Sequence, residues 1–124
     1  MGKKILLADD EEDILTLTAS RLKKKGYTVI TAVDGKEALE KIKSEKPDLV
    51  LLDYKMPGLT GIDVCHQLKA DPALDKIPVV LFTASSESVK TPDLQDKAGY
   101  DDYLVKPFEA VELFEKIEKL IGAP

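Results

Sequence analysis

Cysteine is nearly missing from this chain. Cys65 is the single copy in 124 residues and His66 is the single histidine, which excludes an internal disulfide and a zinc site built from Cys and His. No apolar run approaches the roughly 20 residues needed to cross a bilayer, and Met1-Gly2-Lys3-Lys4 is not followed by the apolar stretch of a secretory signal. Repeats, low-complexity segments and linker-like compositions are absent. Positive charge is also in deficit: 18 basic against 23 acidic side chains leave a net charge of −5, which argues against broad contact with nucleic acid or an anionic membrane. These absences predict a soluble, cytoplasmic protein. A hydrophobic share of 44% over this length predicts one domain, residues 1–124, around one core.

What the chain does have is a regular alternation. Short apolar runs recur at Ile5 to Ala8, Val29 to Ala32, Leu49 to Leu52, Val79 to Phe82 and Tyr103 to Val105. They are continuous rather than alternating, so both faces of the sheet are expected to be covered, as in a parallel sheet flanked by helices. Between them lie helical patterns. Leu15, Thr18, Ala19 and Leu22 precede Lys23 to Lys25 and a stop at Gly26; Ala38, Leu39 and Ile42 end near Pro47; Ile62, Cys65 and Leu68 end before Asp71-Pro72. A short fourth helix is expected from about Asp93 to Ala98, with Thr91 as cap and Pro92 at its first position. The last helix carries Leu113, Phe114, Ile117, Leu120 and Ile121 on one stripe. Five β-α repeats with right-handed crossovers predict an α/β fold: a doubly wound, five-stranded parallel sheet with five helices on its two faces.

In such folds the functional crevice forms beyond the carboxyl ends of the strands, where strand order reverses. Asp9 and Asp10 follow strand one, Asp53 follows strand three, Thr83 strand four and Lys106 strand five. With the flavodoxin-like order 2-1-3-4-5, strands one and three are neighbours, so three carboxylates meet at the switch point. That much negative charge calls for a cation, and magnesium suits it because it takes hard oxygen ligands, usually one or two carboxylates with waters and a phosphate. Lys106 adds a fixed positive charge. A carboxylate is a competent nucleophile toward phosphorus, and phosphoryl transfer asks the protein mainly for alignment and charge neutralisation. Magnesium and Lys106 would neutralise the phosphoryl oxygens, and the Thr83 hydroxyl would donate a hydrogen bond to one of them.

Four segments in this order resemble the successive motifs of response-regulator receiver domains of the chemotaxis-regulator type: Ile5 to Glu11 (ILLADDE), Asp53 to Gly61 (DYKMPGLTG), Thr83-Ala84, and Tyr103 to Phe108 (YLVKPF). The resemblance spans residues 3 to 121. It implies a two-component signalling module in which Asp53 is the phosphoacceptor, Asp10 a direct magnesium ligand, Asp9 a ligand often acting through water, and the Lys55 carbonyl a backbone ligand. Lys106 would hold the phosphoryl group, with a cis bond to Pro107. Thr83 would move toward the phosphoryl group and Tyr103 would rotate inward, altering an output surface of the fourth helix, fifth strand and last helix. The implied donor is a sensor histidine kinase or a histidine phosphotransfer protein. Ala84 would leave access to the phosphoryl group, and Lys55 and Ser85 stand where the family tunes dephosphorylation. One departure is the spacing from Thr83 to Lys106, 23 positions against an expected 22 or so, with Pro92 where the fourth helix is normally established.

Each group also has a plainer role. The acids from Asp9 to Asp13 suit a solvated first helical turn, Tyr103 suits a half-buried strand aromatic, Cys65 a core-facing helix position with exposed His66 beside it, and Lys23 to Lys25 a solvated helix end. Three other functions compete with this reading. A haloacid-dehalogenase-like phosphatase needs a second Asp where this chain has Lys55. A flavodoxin-like cofactor binder needs a Ser, Thr and Gly-rich phosphate loop where this chain has five acids. An interaction module that does not signal through phosphate would have lost an acid, the Thr or the Lys.

Overall fold

The structure, a computed structural model, describes residues 3–83, 99–106 and 108–124. The expected fourth helix, Ala84, Ser85, Pro92 and the Lys106-Pro107 bond lie outside the described residues. The elements run β1 (Lys4–Ala8), α1 (Glu12–Lys25), β2 (Thr28–Ala32), α2 (Gly35–Glu45), β3 (Leu49–Asp53), α3 (Gly61–Ala70), β4 (Val79–Thr83), β5 (Asp102–Val105) and α4 (Ala110–Ile121). The five strands are all parallel, in the order β2-β1-β3-β4-β5. This is the expected doubly wound sheet, and strand order reverses between β1 and β3.

Every residue of β3 and β4 is buried, which is why those strands read as unbroken apolar runs. Alternation along the strands divides the core in two. Ile5, Leu7, Leu49, Leu51, Val80 and Phe82 pack under α1 and α4. Leu6, Ala8, Val50, Leu52, Val79 and Leu81 pack under α2 and α3. Each fully buried aliphatic side chain contributes on the order of 1.5–3 kcal/mol relative to exposure, so the sheet centre is the rigid part of the molecule.

The helices start and stop for local reasons. α1 buries Leu15, Thr18, Ala19 and Leu22, has acids in its first turn and lysines in its last, and ends on Gly26 at φ 115°. These charges complement the helix dipole. α2 begins where the Asp34 side chain accepts the Glu37 N–H, and it ends on Lys46 in the left-handed region at φ 47°, one residue before Pro47. α3 opens with a capping box between Thr60 and Asp63. Cys65 is buried in the α2/α3 core, as expected, and His66 is exposed. Among the described residues, no helix is long and apolar enough to cross a membrane.

Candidate functional site

The carboxyl ends of β1, β3, β4 and β5 meet along one edge of the sheet. Asp9 directly follows β1, and its N–H donates to the Ala32 carbonyl at 3.1 Å, extending the ladder to β2 by one bond. Asp53 is the last residue of β3, in register with Phe82. Thr83 closes β4, and its carbonyl accepts the Lys106 N–H at 2.7 Å, so the lysine's backbone is pinned to the neighbouring strand end. Beyond Asp53 the chain must leave the sheet and enter α3 at once. The Tyr54 carbonyl accepts the Gly61 N–H at 3.0 Å. A Cβ at residue 61 would lie 2.5 Å from the Asp53 carbonyl oxygen, so only glycine lets α3 start this close to the site.

The side chains form a compact charge cluster. Carboxylate oxygens of Asp9, Asp10, Glu11 and Asp53 all lie within 4.8 Å of one another, with Asp9 and Asp53 buried and Asp10 and Glu11 exposed. The Lys106 ammonium is 2.8 Å from Asp9 Oδ2 and 3.3 Å from Asp53 Oδ2. The other oxygen of Asp9 accepts the Glu11 N–H at 3.0 Å. Asp9 is 1% exposed, and among the described residues no buried side-chain nitrogen or oxygen is left without a hydrogen-bond partner. A carboxylate this deeply buried is tolerable because both its oxygens are engaged.

These neighbours set the protonation of the cluster. Burial raises the Asp53 pKa from the usual 3.8 to about 6; Lys106 pulls it down but does not cancel the burial and the charge of Asp9. Burial lowers the pKa of Lys106, but the hydrogen bond it donates to Asp9 and the charges of Asp53 and Asp9 outweigh it and hold the ammonium above its ordinary value. The cluster thus keeps one cation in place against two buried carboxylates that repel each other.

Of the residues singled out in the sequence, Asp9, Asp10, Asp53 and Lys106 come together in this cluster, and buried Thr83 stands at the adjoining strand end. Lys55 follows in the loop after β3 with its side chain in solvent. Tyr103 is half-buried on β5, paired with Leu81, and packs against the α2/α3 core rather than into the cluster. Glu11 was not among the expected ligands. Its place in an unbroken acidic run was the available signal, but a run does not reveal which of its members faces a partner strand. Alongside the cluster a groove of about 480 Å³ runs between α1 and the residues after β5, with Ile14, Leu17 and Phe108 on its walls and Glu11 and Lys106 at its edge.

Residues 5–118 match the family model described as the response regulator receiver domain. Among curated proteins, the alkaline phosphatase synthesis transcriptional regulatory protein PhoP of Bacillus subtilis is 44% identical over 121 residues, 98% of this chain and 49% of that protein. The chain spans about half the length of the curated relatives it matches. Among solved structures, the chemotaxis response regulator CheY4 of Vibrio cholerae superposes with a TM-score of 0.90 at 27% identity, covering 98% of this chain and all of that one. The response regulator TrrA of Thermotoga maritima, solved in complex with Mg2+-BeF, gives a TM-score of 0.86 at 37% identity over 96% of this chain and 99% of its own.

Proposed function

This chain belongs to the response regulator receiver domain family of two-component signalling proteins, and on that premise we propose that Asp53 is the residue that accepts a phosphoryl group. The observation that carries the reading is the Lys106 ammonium lying within 3.3 Å of Asp53 and 2.8 Å of Asp9 inside a cluster of four carboxylates. In the reaction an Asp53 carboxylate oxygen attacks phosphorus, the phosphorus–nitrogen bond of a phosphohistidine breaks, and the imidazole leaves with the electron pair. Lys106 moves from the carboxylates to the phosphoryl oxygens as negative charge arrives on them. The Thr83 hydroxyl, buried at the adjacent strand end, donates to another of those oxygens.

The donor set is all hard oxygen, which fits magnesium and not a thiophilic metal. Asp9, Asp10, Asp53 and the Lys55 carbonyl would hold the ion, with Glu11 at its outer edge. Magnesium supplies charge neutralisation and alignment of the phosphoryl oxygens. Asp9 is anchored by the Glu11 N–H and by Lys106, so its orientation is set before any ligand arrives. Beyond its own phosphorylation and dephosphorylation the domain would catalyse nothing.

The donor is a sensor histidine kinase or a histidine phosphotransfer protein, for which the groove beside Lys106 offers an apolar surface bordering the acceptor. Tyr103 and Thr83 form the switch that passes phosphorylation to a surface including β5 and α4. A net charge of −5 makes nucleic acid a poor direct partner for this domain. Incubation with magnesium and a small phosphoramidate donor, followed by intact mass measurement, should give one phosphoryl adduct on the parent and none on Asp53→Asn. A parent that stays unmodified would overturn the proposal.

A further inference from the structure

The far end of α3, away from the carboxylates, holds a second knot of contacts that the phosphorylation chemistry does not use. Lys69 lies in the last turn of α3. Its ammonium donates to the Ile77 carbonyl at 2.8 Å and the Asp75 carbonyl at 3.0 Å, and it stands 3.6 Å from Asp101 Oδ2. That same carboxylate oxygen accepts the Val79 N–H at 2.8 Å, while the Asp101 N–H donates back to the Val79 carbonyl at 2.8 Å. Asp101 is therefore locked to the first residue of β4 one position before β5 begins. The stem of Lys69 also fills the space over Gly99, which sits at φ 78°: a Cβ there would lie 2.9 Å from Lys69 Cγ. Between these two points Tyr100 is 3% exposed and buried in the α2/α3 core.

The other end of α3 is fastened equally closely to the site. Gly61 donates to Tyr54 and leaves no room for a Cβ beside the Asp53 carbonyl. Ten residues of helix thus connect the backbone of the acceptor strand to the start of the strand that carries Tyr103. We propose that Lys69 is a positioning residue for Tyr103: it clasps Gly99 and Asp101 to α3, making the start of β5 the fixed end against which Tyr103 changes position. The inference rests on the reading of Tyr103 as part of the switch. An anchored end matters because a bistable side chain passes on a bias only if the backbone beneath it does not absorb the displacement. Lys69 is suited to the role since a single ammonium answers two carbonyls and one carboxylate; removing it takes the donor from the part-buried Ile77 carbonyl and leaves Asp101 held by the Val79 N–H alone.

The test separates occupancy of the site from the response of the switch. Beryllofluoride with magnesium is titrated as a phosphoryl mimic into the parent, Lys69→Met and Lys69→Arg, each carrying ring-13C tyrosine, with Tyr103 assigned through Tyr103→Phe. Methionine keeps an unbranched stem against Gly99 and removes the ammonium, with its charge and its hydrogen bonds to the Asp75 and Ile77 carbonyls. Lys69→Met should bind the mimic within about threefold of the parent's affinity, while its Tyr103 resonance at saturation moves less than about half as far, the scale expected for loss of a coupling contact. Lys69→Arg should restore the full movement. Asp101→Asn, which keeps the Val79 contact and alters only the charge facing Lys69, should give the same effect in weaker form and serves if Lys69→Met does not fold. A full Tyr103 response in Lys69→Met, or in Asp101→Asn where that is the variant used, overturns the inference, as does a loss of mimic binding in step with loss of stability. A parent that fails to bind the mimic overturns the proposed function, and this inference falls with it.

Discussion

Replacing Asp53 by Asn is expected to make the metal-free protein more stable. Asp53 has a pKa of about 6 in the fold against the ordinary 3.8, chiefly because it is buried. A group whose pKa is raised on folding favours the folded state while it is protonated. That contribution is complete below about pH 3.8 and is lost as the pH rises through about 6. Above that, ionised Asp53 costs roughly 2–3 kcal/mol of stability, at 1.36 kcal/mol for each tenfold change in proton affinity, less the screening by water that reaches the exposed tenth of the side chain. Asn keeps the shape without the charge. In EDTA at pH 7.5, urea unfolding followed by circular dichroism should place Asp53→Asn about 2–3 kcal/mol above the parent, and the gap should shrink to under about 1 kcal/mol near pH 4. Magnesium should close it at pH 7.5 by stabilising the parent more than the variant. A variant less stable than the parent in EDTA, or a gap that does not change between pH 4 and 7.5, would refute the reasoning.

Two further outcomes follow from the same charges. Lys106→Met removes the cation facing buried Asp9 and Asp53, so without metal it should lose about 3–5 kcal/mol of stability; magnesium should raise its melting temperature by more than the parent's, since no ammonium has to be displaced. Magnesium affinity measured by calorimetry should be flat above about pH 6.5 and fall about tenfold per pH unit well below 6, because Asp53 must lose its proton to bind; an affinity unchanged down to pH 5 would exclude Asp53 as a ligand.

Much of the fold could be read from short-range patterns. All five expected strands are present, each longer by one residue at one end, because a run of buried apolar residues is a local signal. Helix ends were legible where glycine or proline marks them, at Gly26 and, for α2, just before Pro47; what no propensity points to is the left-handed backbone of Lys46 that makes the second stop. The start of α1 was less legible still. An acidic run suggests a side-chain cap, yet none is made there, and Asp9 instead turns its Oδ1 to the Glu11 N–H. The strand-end rule brought Asp9, Asp53, Thr83 and Lys106 to one edge. It could not show that Lys106 rests on Asp9 more closely than on Asp53, since that contact joins residues 97 positions apart and depends on how three strands stagger.

The alternation of side chains along the sheet adds one constraint that neither the motifs nor their spacing contain. Asp9 continues the series Ile5, Leu7; Asp53 continues Leu49, Leu51; Lys106 continues Leu104; all of these belong to the face covered by α1 and α4. Thr83 continues Val79, Leu81, and Tyr103 pairs with Leu81 on the face covered by α2 and α3. The charge cluster and the proposed switch pair are therefore drawn from opposite faces of one sheet. The centre of that sheet is fully buried and close-packed, so it has little room to rearrange locally. Under the proposed switch, the direct connection between the two sets runs over the strand ends, where the Lys106 N–H and the Thr83 carbonyl are bonded at 2.7 Å. That backbone contact joins the residue that would hold the phosphoryl group to the residue that would follow it, so on the proposed reading the first step of the switch would fall at the ends of β4 and β5.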